Sequence, residues 1–309
     1  MKRIAGIDIG TNSVLYSLFD VRGQSIIDES HFERHSPRIG KRLAGRKKPL
    51  ITEASYGGLK MILARCIRHA ETGGADEILV AATNPLRLAQ NGARIRARLE
   101  NDLGRRVVIL SPDREAYLAF LAAAGPLQKG RAALVIDLGG GSTEFVVYQG
   151  DKRRAFVSLP AGAVSLTEKF DSEMSVDPGD FPRFEKMLAP YGRKLKNLRP
   201  YVQAPVKLVG GTSTALAYLK DRDVFHKRRG VAMTRAEIER YVYLLSSLGL
   251  NCRRQLLTAD KKRAEIIFAG AFWLHYVLKV LDIEKAVATP WGLRHGMVLD
   301  YLKQGTFTA

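Results

Sequence analysis

The chain has 309 residues, 46% apolar and 26% charged, a balance that excludes wholesale disorder and leaves room for two domains. Lys and Arg number 49 against 31 Asp and Glu, and the resulting +18 attracts polyanions: nucleic acid, an acidic membrane surface or a phosphate chain. Aromatic residues interleaved with the basic ones, as base stacking would need, are missing, so nucleic acid is not the expected partner even though the charge permits it.

The first element, residues 4–20, reads IAGIDIGTNSVLYSLFD: an apolar run, a polar Gly-containing loop and a second apolar run, closed by the turn signal Arg22-Gly23. It is too short and too broken by Asp8 for a signal peptide, and no stretch reaches the ~18 apolar residues of a membrane span. A cytoplasmic protein without a membrane partner is expected. Residues 31–48 then gather Arg34, Arg38, Lys41, Arg42, Arg46, Lys47 and Lys48 around the single acid Glu33. An amphipathic helix is predicted over 53–72, a buried strand over 77–83, a helix over 92–102 and a strand over 106–111. Ser111 as N-cap and Pro112 at the first helical position open a helix that runs to 124.

Residues 133–149, ALVIDLGGGSTEFVVYQ, repeat the first element without gaps: Asp8 meets Asp137, Gly10 meets Gly139 and Ser13 meets Ser142. This copy too ends in a turn signal, Gly150-Asp151. A second basic cluster follows in Arg183, Lys186, Arg193, Lys194, Lys196 and Arg199. Residues 206–219 read as strand, glycine turn and helix, and helices are predicted over 234–248, 261–281 and 292–303. Cys66 and Cys252 form no CxxC or Cys/His cluster, so two buried thiols are expected rather than a disulfide framework or a structural zinc site.

In both copies β-prone residues follow the glycine loop, such as Phe145, Val146, Val147 and Tyr148. That predicts two β-hairpins and excludes Rossmann and Walker loops, which run from strand into helix. The expected fold class is α/β, with two domains, each begun by a hairpin, and a cleft between them. Each loop offers backbone N–H groups and a hydroxyl to an anion. A carboxylate beside a bound phosphate is repelled unless a cation lies between, so Asp137, and less firmly Asp8, are expected to act through Mg²⁺ or its water shell.

The duplicated hairpin resembles the actin-like superfamily of chaperones and sugar kinases, with its two ribonuclease H-like domains. Within it, the motifs resemble the exopolyphosphatase / guanosine pentaphosphatase family. DIGTNSV (8–14) and DLGGGSTE (137–144) are similar to its two phosphate loops, VAATNPLRLAQNG (80–92) to its ATxxxRxAxNG segment, and SPDREA (111–116) to its SGxEEA segment. SLPAGAVSLTEKF (158–170), VGGTSTAL (209–216), RAEIIFAG (263–270) and TPWGLRHGMVLDYL (289–302) follow in the family's order, so the resemblance spans essentially the whole chain.

The resemblance implies a division into residues 1–121, with a C-terminal helix at about 297–309 packing back, and residues 122–296. It implies release of terminal orthophosphate from inorganic polyphosphate. Glu115 would be the acid that activates water, Glu144 a second catalytic carboxylate and Arg87 a phosphate clamp. Gly10, Thr11, Asn12, Ser13, Gly139, Gly140, Gly141, Ser142 and Thr143 would bind phosphate, and Gly210 and Gly211 at a helix N-terminus would take another anion.

Some residues depart from the family pattern: Pro112 and Arg114 in SPDREA, Leu15 after the first loop, Asn84-Pro85 before Arg87, and Ser165 for an arginine. An arginine next to Glu115 would lower its pKa if the two shared a helix face. Two alternatives stand beside polyphosphate hydrolysis: hydrolysis of guanosine pentaphosphate, a stringent-response nucleotide, and a non-catalytic regulator that binds polyphosphate or that nucleotide. The Glu-ended GGGSTE loop argues against a kinase. A homodimer is compatible with all of these readings.

Overall fold

The computed structural model describes residues 2–40, 49–124, 132–149, 152–172, 174–224 and 230–308. They divide into one unit of Met1–Ala122 with Trp291–Ala309 and a second of Ala123–Pro290. The sequence expects the C-terminal segment to return at about residue 297; in the structure Trp291 already belongs to the first unit.

The first unit opens with β1 (Lys2–Ile9), β2 (Val14–Arg22) and β3 (Ser25–His35), each antiparallel to the one before. Then come α1 (Glu53–Thr72), β4 (Glu77–Ala82), α2 (Asn84–Leu88), α3 (Gly92–Leu103), β5 (Val108–Ile109) and α4 (Pro112–Ala124). The sheet order is β3-β2-β1-β4-β5, with β4 and β5 parallel to β1. Side chains of a strand alternate between faces. Ala5, Ile7, Ile9, Val80 and Ala82 therefore pack with Leu59 and Leu63 of α1 and Leu99 of α3. Ile4, Leu79 and Ala81 pack on the other side with Leu118 of α4 and with Met297 and Val298 near the C-terminus.

The second unit begins with the matching meander β6 (Ala132–Leu138), β7 (Thr143–Gln149) and β8 (Lys152–Leu159). It continues through α5 (Ala163–Phe170), α6 (Phe181–Leu195), β9 (Val206–Val209), α7 (Gly211–Lys220), β10 (Val231–Thr234), α8 (Arg235–Ser247), α9 (Leu250–Leu256), α10 (Ile267–Leu281) and β11 (Lys285–Ala288). Its sheet runs β10-β11-β9-β6-β7-β8. The chain then re-enters the first unit with α11 (Leu293–Gln304). α10 is apolar nearly all round and lies in the core, where Phe272 meets Phe170 and Phe184, themselves stacked with centroids 4.3 Å apart.

Both predicted hairpins are present, and neither glycine loop leads into a helix. The predicted strand over 106–111 shrinks to Val108–Ile109, and the predicted 261–281 helix is a 3₁₀ turn, Lys261–Glu265, followed by α10. Cys66 is buried as expected, but Cys252 is exposed: α9 is short and sits with little of its length covered. Of the first basic cluster, 41–48 lie outside the described residues.

Candidate active site

In the first unit, alternation along β1 puts Asp8 on the face of Ile4 and Gly6, where a Cβ on Gly6 would touch Arg294 at 3.4–3.5 Å. α4 approaches the same face. Its first turn is held by Ser111, whose hydroxyl accepts from Arg114 N at 3.1 Å and whose carbonyl accepts from Glu115 N at 2.9 Å. Consecutive helical residues point about 100° apart, and the two neighbours part here. Arg114 turns to the buried Asp300, with Nη1 3.3 Å from Oδ1. Glu115 turns to Arg87, whose Nη1 donates to Glu115 Oε2 at 2.9 Å and to the Leu110 carbonyl at 2.7 Å. Arg114 therefore does not act on Glu115 as a shared face would have it.

Burial and the charge of Glu115 push the Asp8 carboxyl up to about 7, against the pull of Arg294. Burial likewise raises Glu115, and the Arg87 guanidinium offsets only part of it. Asp8 Oδ1 is buried and has no hydrogen-bond partner among the described residues. Two like-charged carboxylates, one with a buried orphan oxygen, fit a divalent cation with oxygen ligands.

The first loop joins this site through Gly10 N, which donates to Ser13 O at 2.9 Å. Its carbonyl side is engaged by the chain after β3: Arg38 N donates to Asn12 O at 3.2 Å and Gly40 N to Thr11 O at 3.0 Å. Asn12 Nδ2 donates to Ser13 Oγ at 3.0 Å.

The second unit builds its loop the same way, with Gly139 N donating to Ser142 O at 3.0 Å. Here the start of α5 engages the carbonyls: Ala163 N reaches Gly139 O at 3.0 Å and Val164 N reaches Gly140 O at 2.7 Å. Ser165 joins in, donating from its hydroxyl to Gly141 O at 3.2 Å. The approach is so close that a Cβ on Gly162 would stand 2.5 Å from the Gly140 carbonyl. Asp137 lies directly opposite Glu144 in the β6–β7 register, and Glu144 lies opposite Ser158, whose hydroxyl donates to Glu144 Oε1 at 2.9 Å. Thr143 turns inward and is fully buried: its hydroxyl donates to Ala161 O and accepts from Trp273 Nε1 at 2.9 Å, so it is taken up by the core and not offered to a ligand as the sequence implied.

Gly210, with φ of +95°, closes the β9–α7 turn where a Cβ would collide with Leu138 O at 2.2 Å. Against Gly211, at the start of α7, lies the Arg263 guanidinium, which pairs with Asp260 at 3.0 Å. The helix N-terminus brings partial positive charge there, while Asp260 offsets the charge of the guanidinium beside it.

Four residues, two in each unit, went unassigned in the sequence. Arg294 is buried near Asp8, and its Nη1 has no hydrogen-bond partner among the described residues. Glu29 stands 3.7 Å from Arg294 Nη2; Ser158 and Arg263 complete the set. Arg294 and Arg263 fall inside the motif segments 289–302 and 263–270, which was the only signal for them.

Two sheets that each begin with a hairpin and a phosphate-sized loop, each loop following an aspartate near the end of its leading strand, make a two-unit α/β fold of the actin-like type. The chain belongs to the Ppx/GppA phosphatase family, whose profile matches residues 36–305. It is 25% identical to an uncharacterised protein of Streptomyces coelicolor, over 98% of this chain and 91% of that one. It is 24% identical to exopolyphosphatase 1 of Mycobacterium tuberculosis, over 96% of this chain and 87% of that one. Among solved structures, the Aquifex aeolicus Ppx/GppA family member superposes with a TM-score of 0.79 at 24% identity over 99% of both chains. An exopolyphosphatase from Cytophaga hutchinsonii superposes with a TM-score of 0.82 at 20% identity over the whole of both chains. Among the described residues, no helix is long and apolar enough to cross a membrane.

Proposed function

We propose that this phosphatase releases terminal orthophosphate from inorganic polyphosphate by attack of water. The observation that carries the reading is the partly buried trio Asp8, Glu115 and Arg87, in which a carboxylate with a raised pKa is oriented by a guanidinium. A base is most effective when its pKa approaches the working pH. Glu115 takes a proton from the attacking water. The new P–O bond forms at the terminal phosphorus, the bridging P–O bond breaks, and the shortened chain leaves as its anion.

Arg87 holds Glu115 in place and offers its remaining guanidinium donors to a phosphate oxygen. Gly10 to Ser13 supply loop donors in the first unit and Gly139 to Ser142 in the second, where Gly210 and Gly211 with Arg263 hold a further phosphate. Asp8, and Asp137 beside Glu144, are the residues that would hold Mg²⁺, which supplies charge neutralisation at the phosphate when bound. Glu144 orients water or shares that cation.

Relatives named exopolyphosphatase and the strongly basic composition support polyphosphate over guanosine pentaphosphate as substrate. The test is phosphate release with Mg²⁺ from long-chain polyphosphate, guanosine pentaphosphate and ATP. The expected result is the highest kcat/KM for polyphosphate. A preference for the pentaphosphate would replace the substrate, and binding without turnover of any of the three would replace the enzyme by a regulator.

A further inference from the structure

β3, at the edge of the first sheet, carries His31, Glu33 and His35 at alternate positions, so all three stand on one face. α1 brings His69 against them. Glu33 Oε1 lies 2.9 Å from His31 Nε2 and touches His69 Nδ1. The other oxygen, Oε2, lies 2.9 Å from His35 Nε2 and 3.7 Å from Arg65 Nε. The ligand atoms of His31, Glu33 and His69 lie within 4.8 Å of one another. None of these residues has a part in the phosphate chemistry.

We propose that His31, Glu33 and His69 form a two-histidine, one-carboxylate site for a divalent first-row transition ion, Zn²⁺ in the first place. Donors held at about 2.0–2.2 Å from one tetrahedral ion stand roughly 3.3–3.5 Å apart, so small side-chain shifts bring these three onto it. Imidazole with carboxylate is a donor set that zinc takes readily. His35 and Arg65 would hold the second carboxylate oxygen, the outer contact that orients a metal-bound carboxylate.

The Glu33 side chain is only 12% exposed, whereas His31 is 49% and His69 37% exposed, so the solvent side is left for a water ligand. Two further groups border the site. Tyr16 pairs with Glu33 across β2 and β3, and its buried hydroxyl has no hydrogen-bond partner among the described residues. Cys66 is near enough to share a ligand set with Glu33 and His35, so the chain does hold a Cys/His cluster that sequence spacing did not reveal. Its sulfur groups with Glu33 and His35 and not with the ligand atoms of His31 and His69, which leaves nitrogen and oxygen as the ligands of this site.

An ion here ties β3 to α1 just before the chain turns to the first loop, where Ser36 Oγ stands 3.5 Å from Ser13 Oγ.

The probe is the full chain stripped of metal and titrated with Co²⁺, followed by Zn²⁺ in competition with a chromophoric chelator. The expected result is visible d–d absorption of a low-coordinate cobalt site, displaced by one equivalent of Zn²⁺, with no thiolate-to-cobalt band. His31→Ala/His69→Ala should bind zinc at least about 100-fold more weakly. Cys66→Ser should bind as the parent does. The half-exposed His31→Ala alone, with its fold checked by circular dichroism, replaces the double variant if that fails to fold. Equal zinc affinity in parent and ligand variants would overturn the site and leave a hydrogen-bonded carboxylate cluster. A thiolate band lost in Cys66→Ser would overturn the ligand set.

Discussion

At the same place in the two hairpins, Asp8 faces Leu15 across the strands while Asp137 faces Glu144. The loops that follow match in their closing hydrogen bond, Gly10 to Ser13 at 2.9 Å and Gly139 to Ser142 at 3.0 Å. Both have their carbonyl side engaged by another segment, residues 38–40 in one unit and the start of α5 in the other. The duplicated frame thus repeats the phosphate-sized loop and leaves the acid chemistry to differ. The second unit takes its extra carboxylate from the hairpin itself. The first unit imports one, Glu115, from α4, where Arg87 can orient it and burial raises its pKa.

Splitting the two acids should give the largest effect. If Glu115 is the base, Glu115→Gln lowers kcat by roughly 10²–10⁴-fold with little change in polyphosphate binding. Glu144→Gln should lose less and recover in part at high Mg²⁺. Steady-state kinetics over a Mg²⁺ series reads both, and equal, Mg²⁺-rescued losses would show that the two carboxylates share one role.

The packing around the frames should break more easily than the loops themselves. A Cβ on Gly296 would stand 1.9 Å from Leu118 O, whereas one on Gly10 or Gly139 would stand 3.2 Å from the closing carbonyl. Gly296→Ala should therefore cost about 1–3 kcal/mol in urea unfolding, and more than Gly10→Ala or Gly139→Ala. Matching losses for the two loop variants would confirm that the loops are equivalent. A loss for Gly10→Ala as large as that for Gly296→Ala would mean that the first loop is under strain.

The third contrast is in pH. Asp8 rises to about 7 from an ordinary 3.8, so the folded protein holds a proton that the unfolded chain releases. Its stabilising contribution is complete below about 3.8 and is lost as pH rises through about 7. Unfolding measured between pH 5 and pH 8 should show this slope, and Asp8→Asn should flatten it. Glu115→Gln removes a like charge and should shift the loss to lower pH. An unchanged slope in Asp8→Asn would assign the proton to another group.

The smallest effect concerns the basic face of the second unit. Reversing Arg193, Lys194 and Lys196 to Glu should raise KM for long polyphosphate several-fold at low salt, with less effect at high salt. Guanosine pentaphosphate, which is shorter, should be little affected. Equal KM values in parent and variant for both substrates would make these residues a solvated face.

Much of the frame was legible in the residues. The gap-free repeat of 4–20 in 133–149, with β-prone residues after each loop, is a local pattern, and local patterns set hairpins. Ser111 and Pro112 marked the start of α4, and alternation along β1 decided which face Asp8 occupies. β10 and β11 escaped notice because neither is followed by a Gly-Gly turn like the one that marked β9, which is just as short.

What the sequence determined by itself is the pair of hairpins, their loops and the aspartate at the end of each leading strand, since these depend on neighbours in the chain. Only the tertiary structure decided that Glu115 meets Arg87 while Arg114 meets Asp300, that Thr143 points inward, and that Arg294 arrives from the far end of the chain beside Asp8. It alone placed His69 of α1 against His31 and Glu33 of β3. The physical reason is that burial, charge partners and raised pKa values arise between residues far apart in sequence, and no periodicity records which distant side chain will share a buried site.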